Sequence, residues 1–132
     1  MKLVFALIAL FPLLAFAQTK SELDALFCAQ YDDGRAQVEI RYDIAIARGA
    51  VTVGCQTSDR FFLTGVDEKD SIELIGEAAQ IAPIAGSEPT IVIYDRDGVN
   101  GKWEKRIQHA SRALGLTFHR QSVSDLMGDD DE

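Results

Sequence analysis

The stretch "YDRDGVNG" crowds Asp95, Asp97 and Asn100 into a glycine-rich loop, just past the β-branched run "TIVIY". Three oxygen ligands at the carboxyl end of a strand could hold a divalent cation, and Asp-x-Asp-Gly matches part of a calcium loop. The next ligand step and a closing bidentate glutamate are missing, because Glu104 comes too early. The same residues also make sense as a turn at Gly98 and Gly101, with Asp97 or Asn100 capping the helix that follows. Cys28 and Cys55 are the only cysteines. Their spacing fits neither a zinc nor a redox motif, so an even pair in an oxidising compartment is expected to form a disulfide. His109 and His119 have no partner at ligand spacing, and Ser87 lacks the Gly-x-Ser-x-Gly elbow of a hydrolase nucleophile. Trp103 fits a core stripe better than a base or sugar platform. Glu39, Arg41 and Asp43 alternate along one strand, either as a solvated face of side-by-side charges or as a surface that meets a partner.

The elements that must position these residues can be read from periodicity. Thr19-Lys20-Ser21-Glu22 is a capping box opening a helix with Leu23, Leu26 and Phe27 inward, ended by "YDDG". The period then changes to two, with Val38, Ile40, Tyr42, Ile44 and Ile46 on one side of a strand. A turn is expected at Arg48-Gly49, followed by a strand with Val51, Val53 and Cys55 on one face. Phe61 to Val66 reads as a central strand. Asp70-Ser71-Ile72-Glu73 predicts a helix with Ile72, Ile75, Ala79 and Ala82 inward, stopped by Pro83. Thr90 to Tyr94 is a buried strand, and the next helix stripes Trp103, Ile107, Ala110 and Leu114 before Gly115. Leu116 to Gln121 is the last strand. The order α-β-β-β-α-β-α-β predicts an α/β (α+β) domain, an antiparallel meander running into βαβ crossovers with helices on the faces of a mixed sheet.

Length and charge bound what such a domain could do. "MKLVFALIALFPLLAFAQ" has a basic start, a short apolar run and a small-x-small end, so residues 1–17 read as a cleaved signal peptide. The expected location is periplasmic or extracellular, with no membrane attachment after cleavage. Residues 18–124 then form one domain and residues 125–132 an acidic flexible tail. The formal charge is −8, more negative by one once Lys2 is removed, so nucleic acid and anionic membranes are expected to be repelled.

In element order, with "VTVGCQT", "RFFLTGV", "LIGEAAQIA", "TIVIYDRD" and "LGLTFHR" as the matching segments, the chain resembles the restriction-endonuclease-like PD-(D/E)XK nuclease superfamily, and its small bacterial members in particular. The resemblance covers about Phe27 to Gln121. It implies a strand ending in Asp-Cys, an acidic motif on the next strand and a Gly-Gln step in the following helix, together holding Mg²⁺. In this chain those positions carry Gly54 before Cys55, Leu63, Gly65, and Glu77 after Gly76, while Glu39 alone stays acidic. Hydrogen and aliphatic carbon cannot ligate a hard cation. The resemblance therefore implies a nuclease fold with no recognisable catalytic residues and no cofactor, acting as a binding or interaction protein for a protein or small-molecule partner. The competing expectation is a divergent metal-dependent nuclease or phosphodiester hydrolase, binding a divalent cation through Glu39, Asp95 and Asp97.

Overall fold

The computed structural model describes residues 18–45, 47–85 and 89–128. The signal-peptide reading of residues 1–17 lies outside them, as does the end of the acidic tail. Among the described residues nine elements follow one another: α1 (Lys20–Cys28), β1 (Arg35–Ile44), β2 (Ala47–Gln56), β3 (Phe61–Gly65), α2 (Glu68–Ala85), β4 (Thr90–Asp95), α3 (Lys102–Ala113), β5 (Thr117–Ser122) and α4 (Val123–Met127). The strands form one mixed sheet in the order β1-β2-β3-β4-β5. β1, β2 and β3 are antiparallel neighbours. β3, β4 and β5 are parallel, joined by α2 and α3 as crossovers. This is the expected mixed α/β architecture. Among the described residues no helix is long and apolar enough to cross a membrane.

β3 and β4 are buried on both faces, which is why they read as largely apolar runs, whereas the edge strand β5 is partly exposed and polar. Val51, Val53, Leu63, Ile91 and Ile93 pack against Leu74, Ala78 and Ile81 of α2 and Ile107 of α3. On the opposite face Cys55, Phe62, Val92 and Tyr94 meet Leu23, Phe27 and Cys28 of α1 and Val123 of α4. The Thr19 capping box forms as expected: Thr19 Oγ1 accepts from the Glu22 amide and Glu22 accepts from the Thr19 amide. Cys28 and Cys55 are joined in a disulfide, their Cα atoms 5.5 Å apart. Gly34 lets the chain pass close to that link, since a Cβ there would lie 2.8 Å from Cys28 Sγ. Gly115, at φ 74°, ends α3 in a Schellman turn, with the Leu116 amide reaching the Ser111 carbonyl at 2.8 Å.

Several local expectations need correcting. The chain reverses between Ile44 and Ala47, earlier than Arg48-Gly49, because Ile44 registers with Ala47, and Arg48 and Gly49 pair with Asp43 and Tyr42 inside the ladder. Gly49 serves the Tyr42 ring instead, since a Cβ would come within 2.7 Å of its hydroxyl. Cys55 does not share a face with Val51 and Val53; it belongs to the opposite cluster. The ladder is irregular between them, because Gln37, opposite Gly54, has φ 56°.

Helix α2 starts earlier than Asp70, with Asp67 accepting from the Asp70 amide at 2.8 Å, and its backbone runs through Pro83 to Ala85. Its buried line is Ser71, Leu74, Ala78 and Ile81, leaving Ile72 56 % exposed. On α3, Leu114 is exposed and Ser111 buried. The extra helix α4 occupies residues 123–127, so the chain remains folded beyond residue 124, and the first part of the expected tail packs Leu126 and Met127 onto the α1 side of the core.

Candidate functional site

Beside Gly54 lies a buried carboxylate, Asp24, that sequence reasoning missed. Asp24 lies on α1 between Lys20 and Cys28 at helical spacing, so it shares the helix's inward line with Phe27. Its side chain is wholly buried. Thr64 Oγ1 and the Tyr94 hydroxyl each donate to Asp24 Oδ1 at 2.6 Å. Lys20 Nζ donates to Oδ2 at 3.2 Å as an ion pair, and the Gln37 amide donates to the same oxygen. One carboxylate thus ties α1 to β1, β3 and β4. The left-handed backbone of Gln37 is the local strain that lets an edge-strand side chain reach inward. Burial, and then the bond to Asp24, pushes the Tyr94 phenol far above its ordinary value, so Tyr94 acts here as a donor and not as a base.

Gly54 has no side chain because there is no room for one. A Cβ would lie 2.4 Å from Thr64 Oγ1 and 2.9 Å from Asp24 Oδ1. Leu63 points to the other face and is completely buried in the core. Gly65 underlies the start of α2, where a Cβ would meet Ser71 Oγ at 2.7 Å and Leu74 Cδ1 at 3.0 Å. Gly54, Leu63 and Gly65 are thus each enclosed by close packing. Glu77, half-buried on α2, has its carboxyl raised by burial first and then by Glu73 and Asp70, so like charges surround it. An Asp24 whose oxygens each accept two hydrogen bonds is a structural anchor. To ligate a metal it would have to lose donors already in place.

The other candidates are scattered. Glu39 pairs with Arg41 at 3.2 Å on the exposed side of β1, and Arg48 sits 3.8 Å from Asp43. β1 and β4 are three strand spacings apart, roughly 14 Å, so Glu39 does not converge with Asp95 and Asp97. Asp95 Oδ1 accepts from the Gly98 amide at 2.8 Å, and Oδ2 from Arg120 of β5 at 2.6 Å. Asp97 accepts from the Val99 amide at 2.9 Å, which holds its carboxyl below the ordinary value. Gly98 takes φ 74° in this turn. The N-cap of α3 is Gly101, so neither Asp97 nor Asn100 caps it through a side chain. Among the described residues no three His, Cys, Asp or Glu side chains gather closely enough to hold a metal.

The same loop borders a cleft of about 250 Å³ at the carboxyl ends of β3 and β4, between Asp67, Asp95, Asp97, Trp103 and Glu104. Sequence reasoning placed Trp103 on the core stripe. It does pack against the core, but it also reaches this cleft. Compared with protein-family models, curated proteins and solved structures, the chain matches none.

Proposed function

We propose that this protein is an exported, disulfide-stapled domain of restriction-endonuclease-like layout that acts by binding a partner and not by catalysis. The observation that carries the reading is the filled centre: Asp24, Thr64 and the core occupy the volume in which Gly54, Leu63 and Gly65 would have to be replaced by metal ligands. The formal charge of −8 turns the choice of partner away from nucleic acid and anionic lipid, toward a protein or a small molecule.

The test is thermal melting of the disulfide-bonded protein with millimolar Mg²⁺, Mn²⁺ or Ca²⁺, run beside hydrolysis of nucleic acid and of an activated phosphodiester. A ligand held only by the folded state would raise the melting temperature. No rise beyond an ionic-strength control, and no hydrolysis, is the expected result. Saturable stabilisation lost in an Asp95→Asn, Asp97→Asn variant, together with metal-dependent cleavage, would establish the hydrolase instead.

A further inference from the structure

Helix α3 carries a face that works against its own stability. Lys102, Lys105, Arg106, His109 and Arg112 are all exposed, and their spacing puts them on one side of the helix. The buried line of Glu104, Ile107 and Ser111 runs along the opposite side, so the basic face points into solvent. Lys102 lies three residues from Lys105 and four from Arg106, spacings at which like charges repel. It is also the first residue of α3, where the helix dipole disfavours a cation, and the N-cap Gly101 supplies no side chain to offset it.

The rest of the molecule does little to relieve this repulsion. The chain holds 21 Asp and Glu against 13 Lys and Arg, so carboxylates are not scarce. Yet the one carboxylate of α3, Glu104, is turned inward, and of this face only Arg106 reaches an acid, Glu68 of α2. Among the described residues Lys102, Lys105 and Arg112 make no ion pair. Solubility does not require these cations, because a net charge of −8 already supplies it.

We infer that the exposed face of α3 docks a short acidic segment of a protein partner, whose carboxylates pair with Lys102, Lys105 and Arg112. From Lys102 to Arg112 the face runs about 15 Å along the helix, the span of roughly five residues of extended chain. A nucleic-acid strand would run past that stripe over a surface of the wrong sign. An anionic membrane needs an apolar helix side to enter it, and that side of α3 is already in the core. This partner class rests on the binding reading above and adds where the partner sits.

Amide NMR of the disulfide-bonded protein, titrated with an acetylated hexa-aspartate peptide, tests it. Saturable shifts confined to α3 are expected, weakening as salt is raised because exposed charges are screened. A hexa-serine peptide should cause none. Lys102→Gln, Lys105→Gln and Arg112→Gln together should weaken binding at least tenfold. Arg41→Gln, Arg48→Gln and Lys69→Gln together remove the same charge from other exposed positions and should change it less than twofold. Melting curves check that both variants are folded. Unsaturable or scattered shifts, an equal loss in the second variant, or tighter binding of a six-nucleotide DNA strand than of the peptide would overturn the inference. Because metal-dependent melting and cleavage are scored separately, such a failure would leave the filled-centre reading standing. Metal-dependent cleavage would overturn that reading and leave peptide binding on α3 untouched.

Discussion

Gly54 and Asp24 explain each other. The glycine leaves the space into which Thr64 and the carboxylate close, and a methyl group there would collide with both. Gly54→Ala should destabilise the protein by about 1–3 kcal/mol, the usual cost of overpacking, as read from urea unfolding. Gly54→Asp should cost more and gain no metal affinity. Asp24→Ala would leave Thr64, Tyr94 and Gln37 as donors without an acceptor inside the protein. It should cost about 3 kcal/mol or more, since losing one member of a buried charged network strands the others. The consequence of Gly54 could be read in the sequence: a position without a side-chain oxygen cannot supply a carboxylate ligand. Its cause could not, because Asp24 sits forty residues from Thr64 and seventy from Tyr94 along the chain. The one available signal was an aspartate on the inward line of an amphipathic helix, four residues after a lysine. Leu26, read as part of that inward face, is 37 % exposed.

Elements announce their caps and periods locally, and the capping box of α1, the Schellman end of α3 and the alternation of β1 were legible for that reason. Which side of a helix faces inward depends on neighbours brought by the fold, and there the reading of α2 slipped by one position, exposing Ile72 and burying Ser71. The Cys28–Cys55 link ties α1 to β2 across 27 residues. Replacing both cysteines with serine should cost about 3 kcal/mol through the freed unfolded chain, lowering the melting temperature by about 10–20 °C. On α2, Glu77 is held above its ordinary value of 4.5 by burial, Glu73 and Asp70. The folded state therefore binds this proton more tightly than the unfolded chain, and stability from this group is lost as pH rises from 4.5 through the raised folded value. Glu77→Gln should raise the melting temperature at pH 7, and the gain should vanish below about pH 4. A gain of equal size at both pH values would contradict this origin.

At the scale of the molecule, the meander-then-crossover order could be derived because antiparallel neighbours accept short turns and parallel ones need helical connections. The helix α4 could not, since its five residues borrow their stability from Val123, Leu126 and Met127 lying on the α1 side of the core. What the whole fold decides is that its sheet centre is spent on structure. The most direct test of that claim is amide NMR of the disulfide-bonded protein during titration with Mn²⁺, whose unpaired electrons broaden signals from nearby nuclei. No selective loss of the Gly54, Leu63, Thr64 and Gly65 amides relative to the exposed acidic surface is expected. Selective, saturable broadening of those four, abolished by Asp24→Asn, would show a cation seated among the packing and hydrogen bonds of the sheet centre and contradict this.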